Sequence, residues 1–234
     1  MTCPLCHFPP LDGCVAGSVR HDDRDCACPQ FFHYLKSAES NRRWPIPARY
    51  AEAALSFFPP ESGRVYSREL VHAHGVMRDR FISHLDAGLM AMIQGTVGTG
   101  KSHLAAACVN AVRGMGHFAV FAPATEIESR AYATIDTDDE TMTQLTSDLS
   151  ECTLLAVDDI GKNRGTEFVT TTLYKVIEDR YNEKRPTIIT TNDTMAELAR
   201  TFGPMKSAAL IDRMGEDGVV ILLNGKSMRS GGKG

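Results

Sequence analysis

No uninterrupted apolar run in this 234-residue sequence approaches the roughly twenty residues that span a bilayer. The opening residues, MTCPLCHFPP, lack both the basic start and the apolar core of a signal peptide. Both absences predict a cytoplasmic protein that has no membrane among its partners. Basic residues are not in excess either. The formal net charge is −4, which excludes a chain that coats nucleic acid through bulk attraction. A local basic groove stays open, because binding follows the local field and not the sum. There is no internal repeat, and a core of this size needs no disulfide to hold it together. With 43% hydrophobic and 23% charged residues, the composition is that of an ordinary soluble chain.

Cysteine is present but unevenly spread, with five of the seven in the first 28 residues. In a reducing cytosol that crowding points to metal before disulfide. Cys3 and Cys6 form a two-residue-spaced pair, Cys26 and Cys28 a one-residue-spaced pair, and nineteen residues lie between the pairs. Four such thiolates close a tetrahedron around Zn²⁺. Cys14, His7, His21 and His33 compete for ligand places, and free or redox-active thiols are the alternative. Cys108 and Cys152 sit in apolar contexts and read as core residues.

Three zones follow. Residues 1–44 are rich in Cys, His and Asp and show no helical or strand period. Residues 45–63, PIPARYAEAALSFFPPESG, place four prolines around an Ala-rich stretch and predict a linker that docks. Residues 64–234 alternate apolar runs with helical patterns, the signature of an α/β domain. Tyr66, Leu70, Met77, Phe81 and Leu85 recur at helical spacing ahead of the first run. The apolar runs are LMAMI (89–93), FAVFA (118–122), LLAV (154–157), TIITT (187–191) and VVILL (219–223). Helical segments, notably 102–113 and 166–184, separate them. Five strands with long crossovers predict a parallel sheet with helices on both faces. The closing SGGKG is expected to be disordered.

The stretch QGTVGTGKSH, residues 94–103, carries the chemistry. Gly95, four residues and then Gly100-Lys101-Ser102 match the P-loop pattern, which assigns the domain to the P-loop NTPases. Glycines, here Gly95, Gly98 and Gly100, let backbone N–H groups turn inward and approach phosphates closely. Thr99 and His103 complete the predicted ATP contacts. Lys101 has the reach for the β and γ oxygens, the Ser102 hydroxyl is a Mg²⁺ ligand, and the following helix adds its positive end.

A second half-site is expected at the end of another strand, and LLAVDDIG supplies two acids there. Asp158 would hold Mg²⁺, and Asp159 would orient or deprotonate the attacking water. In TTN, Asn192 has two readings. Its amide positions the lytic water against the γ-phosphate, or it caps a helix beginning near Asp193.

The ordered set GTVGTGKSHLAAACVNAV, LLAVDDIG, RPTIITTN, LIDRM and NGKSMR resembles the bacterial and phage helicase loaders of the DnaC type. These are AAA+ ATPases, with the IstB-type transposition helpers as close relatives. The resemblance covers roughly residues 64–230 and implies a five-stranded AAA+ core without a C-terminal lid. Only eleven residues follow Leu223, in keeping with that absence. It further implies ATP hydrolysis, self-association through shared ATP sites, a hexameric replicative helicase as partner, and single-stranded DNA. Arg213, in LIDRM, matches the arginine that reaches a neighbour's ATP site, a role worth on the order of 10³ or more in rate. The alternative is a surface arginine paired with Asp212 or Glu216. Arg229 matches a nucleotide-sensing arginine. Most ATPases of the broad class carry Glu at the second acid, so Asp159 implies slow turnover. Related loaders carry an extra helix facing DNA over the region equivalent to residues 125–150, but here only Arg130 is basic. Lys162 and Arg164 are the alternative phosphate contact. Some loaders also carry a zinc-bearing N-terminal domain that binds the helicase, which residues 1–44 would supply. A small-molecule kinase would need an arginine-rich lid and an acceptor pocket, and the sequence has neither signal.

Overall fold

The structure, a computed structural model, describes residues 19–21, 24–26, 29–55, 67–133, 139–161, 167–203 and 218–225, and isolated positions at 205, 208, 212, 213, 227 and 228. The N-terminal zone contains an antiparallel hairpin, β1 (Val19–His21) and β2 (Arg24–Cys26), and a helix, α1 (Pro29–Arg43). These elements lie in a stretch whose sequence shows no period. The strands are three residues each, too short to alternate visibly, and the apolar residues of α1 are bunched in its first half.

The C-terminal half of α1 docks through polar groups. Asn41 donates to the His117 carbonyl and accepts from the Ala119 N–H, both at 3.0 Å. This side-chain amide occupies backbone groups at the start of an edge strand. Trp44 follows, almost fully buried, and donates to Asp148 at 2.9 Å. Residues 45–55 then cross the domain, with a 3-10 turn at Ala48–Tyr50. The Asn110 amide nitrogen lies within 3.2 Å of the carbonyls of Tyr50, Ala51 and Ala53, while Tyr50, Ala53 and Leu55 are buried.

Helix α2 (Arg68–Val76) is capped by Ser67 and runs on through a wider turn at Met77–Phe81 and a 3-10 stretch at Ile82–Ala87. Leu70, Met77 and Phe81 of the helical pattern are buried, and Tyr66 lies outside the described residues. The elements β3 (Met90–Gly95), α3 (Lys101–Gly114), β4 (Ala119–Pro123), α4 (Ala124–Ala133) and α5 (Asp139–Glu151) come next. They are followed by β5 (Leu154–Asp158), α6 (Glu167–Asn182), β6 (Thr187–Thr191), α7 (Met195–Phe202) and β7 (Val219–Leu223).

The five strands β4-β5-β6-β3-β7 form one parallel sheet. Four of the five apolar runs feed two cores by alternation. Ala91, Ile93, Phe121, Leu154, Ala156 and Ile188 face the cluster with α2 and α3. Met90, Met92, Val120, Leu155, Val157 and Ile189 face the cluster with α5, α6 and α7. That double burial is why these strands read as continuous apolar runs. The edge strand β7 differs, since Val220 and Leu222 are exposed while Val219, Ile221 and Leu223 are buried. Cys108 and Cys152 are free, buried thiols, as their contexts indicate, and burial pushes both above the usual thiol range. Among the described residues no helix is long and apolar enough to cross a membrane.

Candidate nucleotide site

The strands β3, β5 and β6 are parallel neighbours, so their C-terminal ends gather the conspicuous polar residues into one crevice. The loop after β3 turns on Gly95, Gly98 and Gly100, whose φ values are 154°, 84° and 98°. Side chains are excluded there by space as well as by torsion. A Cβ on Gly95 would lie 2.0 Å from the Leu223 carbonyl oxygen, and one on Gly98 would lie 2.1 Å from the Ser227 hydroxyl. One on Gly100 would meet Met228 at 2.9 Å and Leu70 at 3.1 Å.

The residues after β7 therefore wall the loop. Met228 N–H donates to the Gly98 carbonyl at 2.9 Å, and the Thr96 hydroxyl to the Gly225 carbonyl at 3.1 Å. The P-loop pattern gives no hint of this wall. Thr99 donates to the Thr96 carbonyl at 2.8 Å. No side chain caps α3, which begins at Lys101 behind Gly100, so its first turn faces the cradle.

Lys101 is buried, and its ammonium lies 2.8 Å from the Gly95 carbonyl, 2.7 Å from the Thr96 carbonyl and 2.7 Å from the Asn192 side-chain oxygen. The Asn192 amide nitrogen in turn donates to the Asp159 carboxylate. One chain of contacts thus runs from the loop lysine to the second acid. The capping alternative for Asn192 is corrected here. Helix α7 is capped by Thr194, in a reciprocal box with Glu197, which leaves the Asn192 amide for the crevice.

Asp158 is buried and accepts from the Thr190 hydroxyl at 2.6 Å. Burial pushes its carboxyl up from the ordinary value, opposed by hydrogen bonds from Thr190 and Ser102. Asp159 follows with a left-handed backbone, φ 61°, a conformation that aspartate tolerates better than most residues. Ser102 and Asp158, joined across α3 and β5, form a hard oxygen pair of the kind that suits Mg²⁺. The glycine cradle, the buried lysine and this pair together fit a nucleotide triphosphate with its magnesium.

His103 turns its ring toward His74 of α2, with centroids 5.8 Å apart. Its place in the first turn of α3 keeps its backbone at the cradle. Among the described residues the partner of Arg213 is not Asp212, and Glu216 lies outside them. Its guanidinium donates to Glu178 at 2.9 Å and lies over the Tyr181 ring at 4.9 Å. Arg229, Cys3, Cys6, Cys28, Lys162 and Arg164 lie outside the described residues, and Cys26 is placed in β2 opposite Val19. Arg130 bonds Glu126 and the Arg43 carbonyl and stacks over Trp44 at 4.0 Å.

With this geometry in place, the family profile described as IstB-like ATP binding protein matches residues 75–233. The chain belongs to the IstB-like ATP-binding family. Among similar proteins, the replicative helicase loader DnaC of Escherichia coli K12 is 29% identical over 136 residues, 58% of this chain and 54% of that protein. An insertion-sequence ATP-binding protein of Mycobacterium tuberculosis is 30% identical over 146 residues, 62% of this chain and 57% of that one. The chain thus spans about half the length of these relatives. A crystal structure of the DnaC helicase loader superposes with a TM-score of 0.60 at 22% identity, covering 76% of this chain and 99% of that chain. AMPPCP-bound DnaA from Aquifex aeolicus superposes with a TM-score of 0.62 at 18% identity, covering 78% and 52%. The fold is the one these structures share, a five-stranded parallel α/β sheet with a P-loop.

Proposed function

We propose that this IstB-like chain hydrolyses ATP to load a hexameric replicative helicase onto DNA. The interlocked Lys101, Asn192 and Asp159 beside Ser102 and Asp158 carry the reading, in a chain with 29% identity to the E. coli loader. Lys101 exchanges the Gly95 and Thr96 carbonyls and Asn192 for the β and γ oxygens of ATP. Asn192, released by the lysine, turns its amide toward the γ-phosphate. Asp159, released in turn, orients the attacking water and accepts its proton as the bond to the β-phosphate oxygen breaks. Ser102 and Asp158 would hold Mg²⁺, which would supply positive charge to offset that of the phosphates. Asp159 is thus restrained until nucleotide draws Lys101 away, which suits a switch better than a fast hydrolase.

Arg213 acts on a neighbouring copy's site in this reading. Its partner Glu178 lies roughly 16 Å along α6 from Glu167, at about 1.5 Å per residue, down from the crevice edge. That displacement supports action in trans. Arg229 senses nucleotide in cis, a role supported by the bond from its neighbour Met228 to Gly98. Cys3, Cys6, Cys26 and Cys28 hold a structural Zn²⁺, on their spacing alone, and metal analysis of the purified chain decides it. Residues 1–44 are the proposed helicase-binding domain, 45–63 the linker and 64–234 the ATPase domain. Single-stranded DNA is the proposed nucleic-acid partner. Arg130 is committed to Glu126 and Trp44, which leaves Lys162 and Arg164 as the candidate phosphate contacts.

A second reading, a transposition helper that binds target DNA and recruits a transposase, is favoured by the insertion-sequence relative at 30% identity. Affinity purification with mass spectrometry, with and without ATP, separates the two. Recovery of a replicative helicase, lost when residues 1–44 are deleted, is the expected result. Recovery of a transposase without helicase would establish the second reading in its place.

A further inference from the structure

The two acids after β5 do not set their own directions. Parallel pairing of β5 with β6 matches Leu155 with Thr187, Ala156 with Ile188 and Val157 with Ile189. One step further along that register, Asp158 stands beside Thr190. There β5 turns away into the left-handed residue Asp159, and Thr190 templates the turn. Its hydroxyl donates to Asp158 Oδ1 at 2.6 Å and accepts from the Asp159 N–H at 2.9 Å. Its carbonyl accepts from the Ile160 N–H at 2.9 Å. Thr190 is fully enclosed, at 1% exposure, so no bulk water stands in for either hydroxyl bond.

We propose that Thr190 is a positioning residue for both acids: its hydroxyl aims Asp158 at the magnesium position beside Ser102 and holds the backbone of Asp159 in its left-handed turn. One hydroxyl serves both because it has one proton to give and lone pairs to receive. Valine has nearly the same shape but does neither. It takes one of two hydrogen-bond donors from the buried Asp158 carboxylate and removes the hydroxyl that accepts from the Asp159 N–H. Serine keeps the hydroxyl and loses only a methyl group. The proposal rests on the ATP-site reading above.

The test compares wild type, Thr190→Val and Thr190→Ser in the full chain. A fluorescent ATP analogue is titrated at fixed Mg²⁺ levels, and steady-state ATPase is measured alongside. Thr190→Val is expected to bind the analogue normally without Mg²⁺. It should need on the order of tenfold more Mg²⁺ for half-maximal tightening, and kcat should fall by a similar factor with KM little changed. Thr190→Ser restores both. A Thr190→Val protein with the wild-type Mg²⁺ midpoint overturns the proposal and leaves the ATP site standing. Equal impairment of the serine and valine variants also overturns it, because packing of the methyl group would then be what matters. A wild type without Mg²⁺-dependent nucleotide binding overturns the ATP-site reading and this proposal together. Should Thr190→Val be unfolded by circular dichroism, Thr190→Ala, which also removes the hydroxyl, is read against the same outcomes.

Discussion

Arg180 of α6 has no exposed surface, and its guanidinium is taken up by oxygens rather than by an acid. Nη1 lies 3.0 Å from the Leu149 and Ser150 carbonyls and 2.8 Å from that of Cys152, Nη2 lies 2.7 Å from the Pro186 carbonyl, and Nε donates to Thr187 at 2.9 Å. The arginine ties the C-terminal end of α5 to the start of β6, the strand that carries Thr190 and leads into Asn192. The helix C-terminus carries partial negative charge, which is part of why a cation is tolerated there. Replacement by methionine keeps most of the volume. It relieves the cost of burying a cation, several kcal/mol, but removes five bonds from a charged donor to oxygen, at about 1.5–3 kcal/mol each, and a weaker one to the Cys152 sulfur. The acceptors left behind are largely buried carbonyls that must find water or stay unpaired. The net is a loss of about 3–5 kcal/mol. For a domain of this size that corresponds to a fall in Tm of about 10 °C. Arg180→Lys keeps the charge but offers fewer donors, and is expected to recover less than half of the loss. Differential scanning calorimetry and urea unfolding measure both. A shift below about 2 °C for Arg180→Met, with an unchanged urea m-value, would refute the reasoning.

Arg213→Ala is expected to bind ATP as wild type does while losing the hydrolysis stimulated by assembly, so equal ATPase rates across protein concentration would contradict a shared site. His74 is nearly fully buried, and burial, followed by the nearby His103, pushes its imidazole down from 6.5 to about 4. The unfolded chain takes up this proton between pH 6.5 and 4 and the folded chain does not. Stability from this group is therefore complete above pH 6.5 and falls by up to about 3 kcal/mol as the pH drops to 4. His74→Phe should flatten that slope in urea titrations, and an unaltered slope would sink the assignment. For Asp148, burial pushes the carboxyl up, but hydrogen bonds from Arg43, Trp44 and Gln144 outweigh it and hold the group below the usual range. Asp148→Asn should cost about 1–2 kcal/mol and make α1 more susceptible to limited proteolysis, and an unchanged cleavage rate would show that α1 docks by other means.

The parts of the site that lie together in the chain were legible from residue types. The phosphate loop is one contiguous segment, so Gly95, Gly100, Lys101 and Ser102 announce it. The strand runs matched the observed strands to within two residues at either end, because double burial writes a parallel strand as a block of apolar residues. Helix α1 was missed because its second half docks through Asn41, and through Trp44 just beyond its end, rather than by an apolar stripe. Asn192 stood between two local readings, and the choice lay with Thr194, which takes the cap, and with Lys101, which takes the amide oxygen.

Alternation, glycine spacing and the acids after an apolar run thus determined the fold class and the nature of the ligand, since each depends on neighbours in the chain. Lys101 and Asn192 are 91 residues apart, Asp158 and Thr190 are 32 apart, and Arg43 and Asp148 are 105 apart. No periodicity connects positions so distant. Only the parallel order β5-β6-β3 brings the acids, the threonine and the lysine to one edge, and only there does a buried hydroxyl acquire two acidic residues to hold.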